Sequence, residues 1–287
     1  MLADPGTLLA RERAYRWAGV IAFLAGFVVV LAGVLGRQIE IDPRNVPLIS
    51  SDGRLYFVAA LLLTAVFGWT VFRSEPDRDF VGRVHFRPDT GEPTYPQGAS
   101  GWIIPAIALL AALLHMARYY DWVWLFLAAT TTGATVFLAC VARHHSLRRE
   151  GDDTASWRLG RLALTDFVAF VSFAVVYGFK TRTLFSGVLL LLLAWLLLFQ
   201  LLDDGSATRF NRDLYAATGA VIVAQFVWAL NYWNASPWQA GLLLVTVFHV
   251  YASLASAHLR DEDVRRVLVR QLVAGAVILA MVAFFAG

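Results

Sequence analysis

Lysine occurs once, at Lys180, and cysteine once, at Cys140. A single cysteine excludes an intrachain disulfide, and no C-x-x-C or zinc-type spacing accompanies it. Charge is scarce as well: 16% of the 287 residues are charged, against roughly a quarter in soluble domains. The Walker A loop, H-E-x-x-H, G-x-S-x-G and a carboxylate-rich D-D-x-x-D repeat are all missing. Each of these places particular groups at the spacing its chemistry requires, so the corresponding hydrolases and transferases find no support. Retinal binding needs a lysine within an apolar run, and Lys180 falls at the end of one.

What the chain has is apolar sequence in long blocks. Hydrophobic residues make up 59% and the mean hydropathy is +0.61. That much apolar surface exceeds what a water-soluble core can hide, because a surface must be covered too. Windows of about 19 residues mark nine spans, at approximately 17–36, 55–72, 101–117, 121–142, 162–179, 185–202, 213–232, 237–257 and 267–286. Leu189 to Leu198 is continuously apolar, where a β-barrel strand would alternate. Helices satisfy their own backbone groups in lipid, so the expected fold is an all-α polytopic bundle over 1–287. The third span carries Pro105 in its first turns, where the missing N–H costs nothing. Spans three and four also fit a re-entrant pair. Arg11, Arg13 and Arg16 precede the first span, which is long for a signal-peptide core and reads as a retained anchor.

Loop charge sets an orientation. With nine spans, about three quarters of the 24 basic residues fall on the side of the N-terminus, which places the N-terminus inside and the C-terminus outside. Trp122, Trp124, Trp228, Trp233 and Trp238, with Tyr119, Tyr120 and Tyr232, gather at the opposite ends, at headgroup depth. Segment 73–100, the longest connection, is then a cytoplasmic loop. Its stretch Phe80–Phe86 alternates weakly, and an ordered loop is favoured there over a short hairpin.

Small residues suggest how the spans pack. Ala18-Gly19, Ala25-Gly26 and Ala32-Gly33 recur every seven residues, and a stripe through Gly19, Gly26 and Gly33 lets a neighbouring backbone approach. The last span repeats small residues at Ala276, Ala280, Ala283 and Gly287. Thr130, Thr131 and Thr132 can bond back to carbonyls of their own helix. Span six, nearly all leucine, shows no such stripe and is expected at the lipid-facing periphery, with Leu192 as its representative.

Polar groups inside spans are costly and therefore candidates for function. Asp166 lies about one turn inside the cytoplasmic start of span five, with Arg158, Arg161 or a helix-end N–H as expected partners. His115 lies near the outer end of span three and His249 near the middle of span eight. Their depths differ too much for one shared haem. Gln200, Gln225, Gln271 and Asn231 read as interhelical amides. His144, His145 and His258 mark cytoplasmic helix ends beside anionic headgroups. Neither a catalytic nor a metal site is assigned, and no cofactor or nucleic-acid partner is expected.

Asn231-Tyr232-Trp233, then Ser236-Pro237 opening a leucine-rich span, then Ala257-His258-Leu259-Arg260 before a final span resemble an uncharacterised family of polytopic bacterial membrane proteins. The resemblance covers the C-terminal third and implies a bacterial inner-membrane protein, with no activity and no site residues attached. Three functions compete on these residues. They are a non-enzymatic membrane subunit or scaffold, a transporter or channel for a small or lipophilic solute, and an intramembrane enzyme acting on lipid at the cytoplasmic face.

The orientation is directly testable. A reporter active only outside the cytoplasm, fused after Gly287, is expected to be active, and the same reporter within 203–212 silent. The reverse pattern inverts the topology or changes the span count.

Overall fold

The computed structural model describes residues 5–38, 51–76, 85–86, 93–94, 100–119, 121–148, 154–179, 183–203, 208–233 and 235–286. Among the described residues, nine helices form in chain order: α1 (Pro5–Gln38), α2 (Ser51–Ser74), α3 (Ile103–Arg118), α4 (Trp122–Arg148), α5 (Thr154–Gly178), α6 (Thr183–Leu201), α7 (Arg209–Tyr232), α8 (Pro237–Leu259) and α9 (Val264–Ala286). The remaining regular structure is a two-residue antiparallel ladder, β1 (His85–Phe86) with β2 (Pro93–Thr94). A hairpin therefore forms in the long connection, although Phe80–Val84 lies outside the described residues. Six helices (α1, α2, α4, α5, α7 and α8) are long and apolar enough to cross a membrane, while α3 and α6 carry shorter apolar segments.

Several helices run past the apolar windows. The backbone ladder of α1 begins at Pro5 and that of α5 at Thr154. Hydropathy marks only the apolar part of a helix, whereas i→i−4 bonding continues through arginine-rich turns until something ends it. Local caps set other boundaries. Thr208 accepts from Asn211 N–H at 3.3 Å to start α7. Ser236 and Gln239 form a reciprocal capping box ahead of α8, with Pro237 as its first residue. Asp261, at φ 55°, ends α8. Its N–H reaches the carbonyl of His258 and the N–H of Glu262 that of Ala257, the paired closure of a left-handed helix stop.

The chain divides into two compact units, residues 1–83 with 97–164 and residues 84–96 with 165–287. In the first, α3 packs against α1, α2 and α4, and every residue from Ile103 to Met116 is buried. A helix apolar on all sides needs neighbours on all sides. At about 1.5 Å per residue its 16 residues span roughly 24 Å, short of a hydrocarbon core of roughly 30 Å. Tyr56 donates to the Leu113 carbonyl at 2.7 Å and Trp17 Nε1–H to Ser74 Oγ at 2.9 Å, tying α2 to α3 and α1 to α2.

The α1–α4 contact is close. A Cβ on Gly26 would stand 3.3 Å from the Ala129 carbonyl oxygen, and one on Gly133 would stand 3.3 Å from that of Ala22. The buried line of α1 is Ala14, Ala18, Ile21, Ala25 and Val29. Gly19 departs from the expected stripe, since a Cβ there would meet nothing within 4 Å. The reason is drift: a straight helix lags about 20° per seven residues. The glycine is thus exposed at Gly19, half-buried at Gly26 and buried against Leu125 at Gly33. Thr130 and Thr131 spend their hydroxyls on the carbonyls of Phe126 and Leu127.

In the second unit α6 packs on α7, which corrects its expected peripheral place. Leu190, Leu193, Ala194, Leu197 and Leu198 are buried, and only one side, with Val188, Leu192 and Trp195, is exposed. The small residue that the leucines need sits on the partner helix. A Cβ on Gly219 of α7 would lie 2.6 Å from Leu198 Cδ1 and collide with the Tyr251 ring. Ala280, Ala283 and Gly287 fall outside the described side chains.

Gly26→Leu is expected to destabilise the detergent-solubilised protein by about 1–3 kcal/mol, because the added bulk has only backbone to meet. Leu192→Phe, on an exposed face, should stay within about 0.5 kcal/mol. Equal thermal-unfolding midpoints for the two variants would mean that Gly26 is not at a tight crossing.

Candidate polar site

The polar site is built on the α5–α8 contact. Gly241 of α8 lies directly against Ala174 of α5: an added Cβ would be 2.6 Å from the alanine Cβ and 3.1 Å from its backbone nitrogen. Phe173 and Phe248 meet edge to face beside it, with ring centroids 5.9 Å apart. Asp166 precedes Ala174 by the same number of residues as His249 follows Gly241. Close approach at one level of an antiparallel pair therefore brings these two polar residues level, about 12 Å further along. His249 Nδ1–H donates to Asp166 Oδ2 at 2.7 Å. The side chains are 32% and 23% exposed, so the pair is shielded but not sealed.

Two more residues complete the cluster. Gln271 of α9 donates through Nε2 to Ser253 Oγ at 3.0 Å, one turn along α8 from His249. Asp166 Oδ1 is buried and accepts no hydrogen bond among the described residues. Among the described residues the partner of Asp166 is a histidine from a distant helix; the side chain of Arg158, an expected partner, lies outside the described residues.

The other candidates stand elsewhere. Gln200 is buried on α6, while Gln225 and Asn231 are exposed on α7. His115 belongs to the first unit, packed against Tyr119 and Trp124 with ring centroids 5.0 and 5.5 Å away. His145 stacks on Trp157 at 4.1 Å and hydrogen-bonds the Tyr15 hydroxyl at 3.1 Å. Among the described residues, no group of three or more His, Cys, Asp or Glu is placed to hold a metal ion.

Each unit also holds a buried ion pair that the sequence left unpaired. Arg143 Nε–H of α4 reaches Glu75 Oε1, just past α2, at 3.4 Å, and Gly101 leaves room for both. Arg212, in the first turn of α7, pairs with Asp203, just past α6. No periodicity signals such pairs, because one member of each sits in a loop. The Asp166–His249 pair did leave a signal. Both residues stand out in the sequence as costly polar groups in spans five and eight, although Asp166 is expected one turn from its span's end and His249 near the middle of its own.

Six apolar helices of spanning length and a polar cluster enclosed by three helices define the class: a multi-helix protein with the make-up of a multi-pass membrane protein. The chain belongs to the protein family of unknown function DUF5656, whose model matches residues 48–285. The family is uncharacterised, as the resemblance in the C-terminal third implied. No curated protein and no solved structure matches it.

Breaking a buried pair by removing one partner leaves an uncompensated charge, at about 3–5 kcal/mol. Asp203→Ala should therefore lower the unfolding midpoint sharply, and adding Arg212→Met to it should recover most of the loss. Failure of the double variant to recover would show that Asp203 acts through other partners.

Proposed function

We propose that the chain is a multi-pass protein of the bacterial inner membrane, working as a non-enzymatic subunit or scaffold that assembles in the bilayer with itself or with a membrane partner. The observation that supports this most is the exposed apolar surface along its long helices. Val20, Phe23 and Phe27 of α1, Leu62 and Val66 of α2, Phe126 of α4 and Phe226 of α7 are all exposed. A protein in water rarely shows apolar patches beyond a few hundred Å², whereas lipid or a neighbouring helix covers such faces without penalty. Interfaces between membrane helices need close approach more than added polarity, and α1 shows that such contacts are within this sequence's means.

A transporter or channel is the second reading, and Asp166–His249 favours it, since an ionisable pair within spanning helices is a usual mark of a proton or solute path. The lipid-modifying reading would draw on Asp166 with His144, His145 and His258. Asp166 is engaged by His249 of α8 instead, which leaves that reading the weakest of the three.

Assembly is measured by light scattering of the full chain extracted from membranes in mild detergent. The expected protein mass is a multiple of 31.7 kDa, or one chain with a stoichiometric companion. A lone chain throughout overturns the subunit reading, and recovery without detergent overturns the membrane reading.

A further inference from the structure

The hydrogen bonding around His249 carries one step more. Its ring has an acceptor at Nδ1, the Asp166 carboxylate. Gln271 of α9 commits its Nε2 donor to Ser253, one turn further along α8. A neutral imidazole keeps one lone pair, and taking a second proton there gives a ring with two N–H donors and a positive charge. The carboxylate beside it offers the compensating charge, and its buried Oδ1 is not spent on any other group among the described residues.

We propose that Asp166 and His249 form a proton-binding site within the membrane-spanning part of the second unit. The proton comes from water, bonds to the free lone pair of the imidazole, and returns to water by the reverse step; no other bond is made or broken. Asp166 of α5 faces the ring, and α9 brings Gln271, bonded at Ser253, and the charge of Arg270. Arg270 is exposed and opposes the added charge from a solvated position. From α7, Tyr215 takes the Tyr251 hydroxyl on its carbonyl at 2.7 Å, and the Tyr215 ring meets His258 rather than His249. The partial exposure of Asp166 and His249 leaves the proton a way in. His249 lies roughly 15 Å from the end of α8 and roughly 18 Å from its start at 1.5 Å per residue. This inference rests on the membrane reading above and adds a ligand to its second form.

The test is ¹⁵N-imidazole NMR of the full chain in lipid nanodiscs, titrated from about pH 4.5 to 8.5, the range in which histidines change charge. One histidine signal, assigned by its loss in His249→Gln, is expected to titrate with a single midpoint. Asp166→Asn should move that midpoint by about one pH unit or more, a tenfold change in proton affinity, and Gln271→Leu should move it less. Asp166→Glu, which keeps the carboxylate, should hold it near the wild-type position, and it serves as the comparison with His249→Gln if Asp166→Asn does not fold. A His249 signal that stays constant across the range overturns the proposal. So does a midpoint indifferent to both Asp166 variants and to Gln271→Leu. Resistance of the protein to extraction from vesicles by alkaline carbonate, measured separately, tells a failure of the membrane reading from a failure of the proton site.

Discussion

Helices in an apolar solvent gain little by hiding apolar side chains from it, so what holds them together must be close contact and paired polar groups. The close contacts are made at glycines. Gly26 and Gly133 bring the backbones of α1 and α4 together, Gly219 receives Leu198 of α6, and Gly241 seats α8 on Ala174 of α5. At each point an added methyl group would press on backbone or on a packed side chain. The leucine-rich helix α6 shows that the stripe need not be on both partners, since one small residue opposite large ones is enough.

Polar groups are then placed by the packing that glycine permits. Asp166 and His249 meet because Gly241 fixes the register of two antiparallel helices. Burial makes such meetings obligatory: a carboxylate or guanidinium removed from water costs several kcal/mol unless it is paired. Glu75–Arg143 and Asp203–Arg212 meet that demand at helix ends, where the chain turns and a loop residue can fold back over the adjoining helix. The Asp166–His249 pair differs in lying along the helices and in being partly exposed.

Much of the architecture was legible in the sequence. Nine apolar runs correspond to nine described helices, because period and length of apolar sequence are local properties that a helix obeys. The Ser236–Gln239 capping box is likewise written in four consecutive residues. Reading failed where geometry accumulates over distance. The heptad of Ala-Gly pairs looked like one stripe, yet the helical repeat turned Gly19 out and Gly33 in. Span six looked peripheral because its partner's glycine, Gly219, was on another helix.

By itself, the sequence determined an all-helical chain rich in membrane-length helices, the caps that start α7 and α8, and the short list of costly polar residues. These follow from composition and local hydrogen bonding, which act within a few residues. Only the tertiary structure decided which of those residues meet. It joined Asp166 to His249 across 83 positions and Glu75 to Arg143 across 68. It also left Gln225 and Asn231 on the outside of α7. Partnership depends on the rotation and register of whole helices, and those are set by side-chain packing between segments that no local pattern connects.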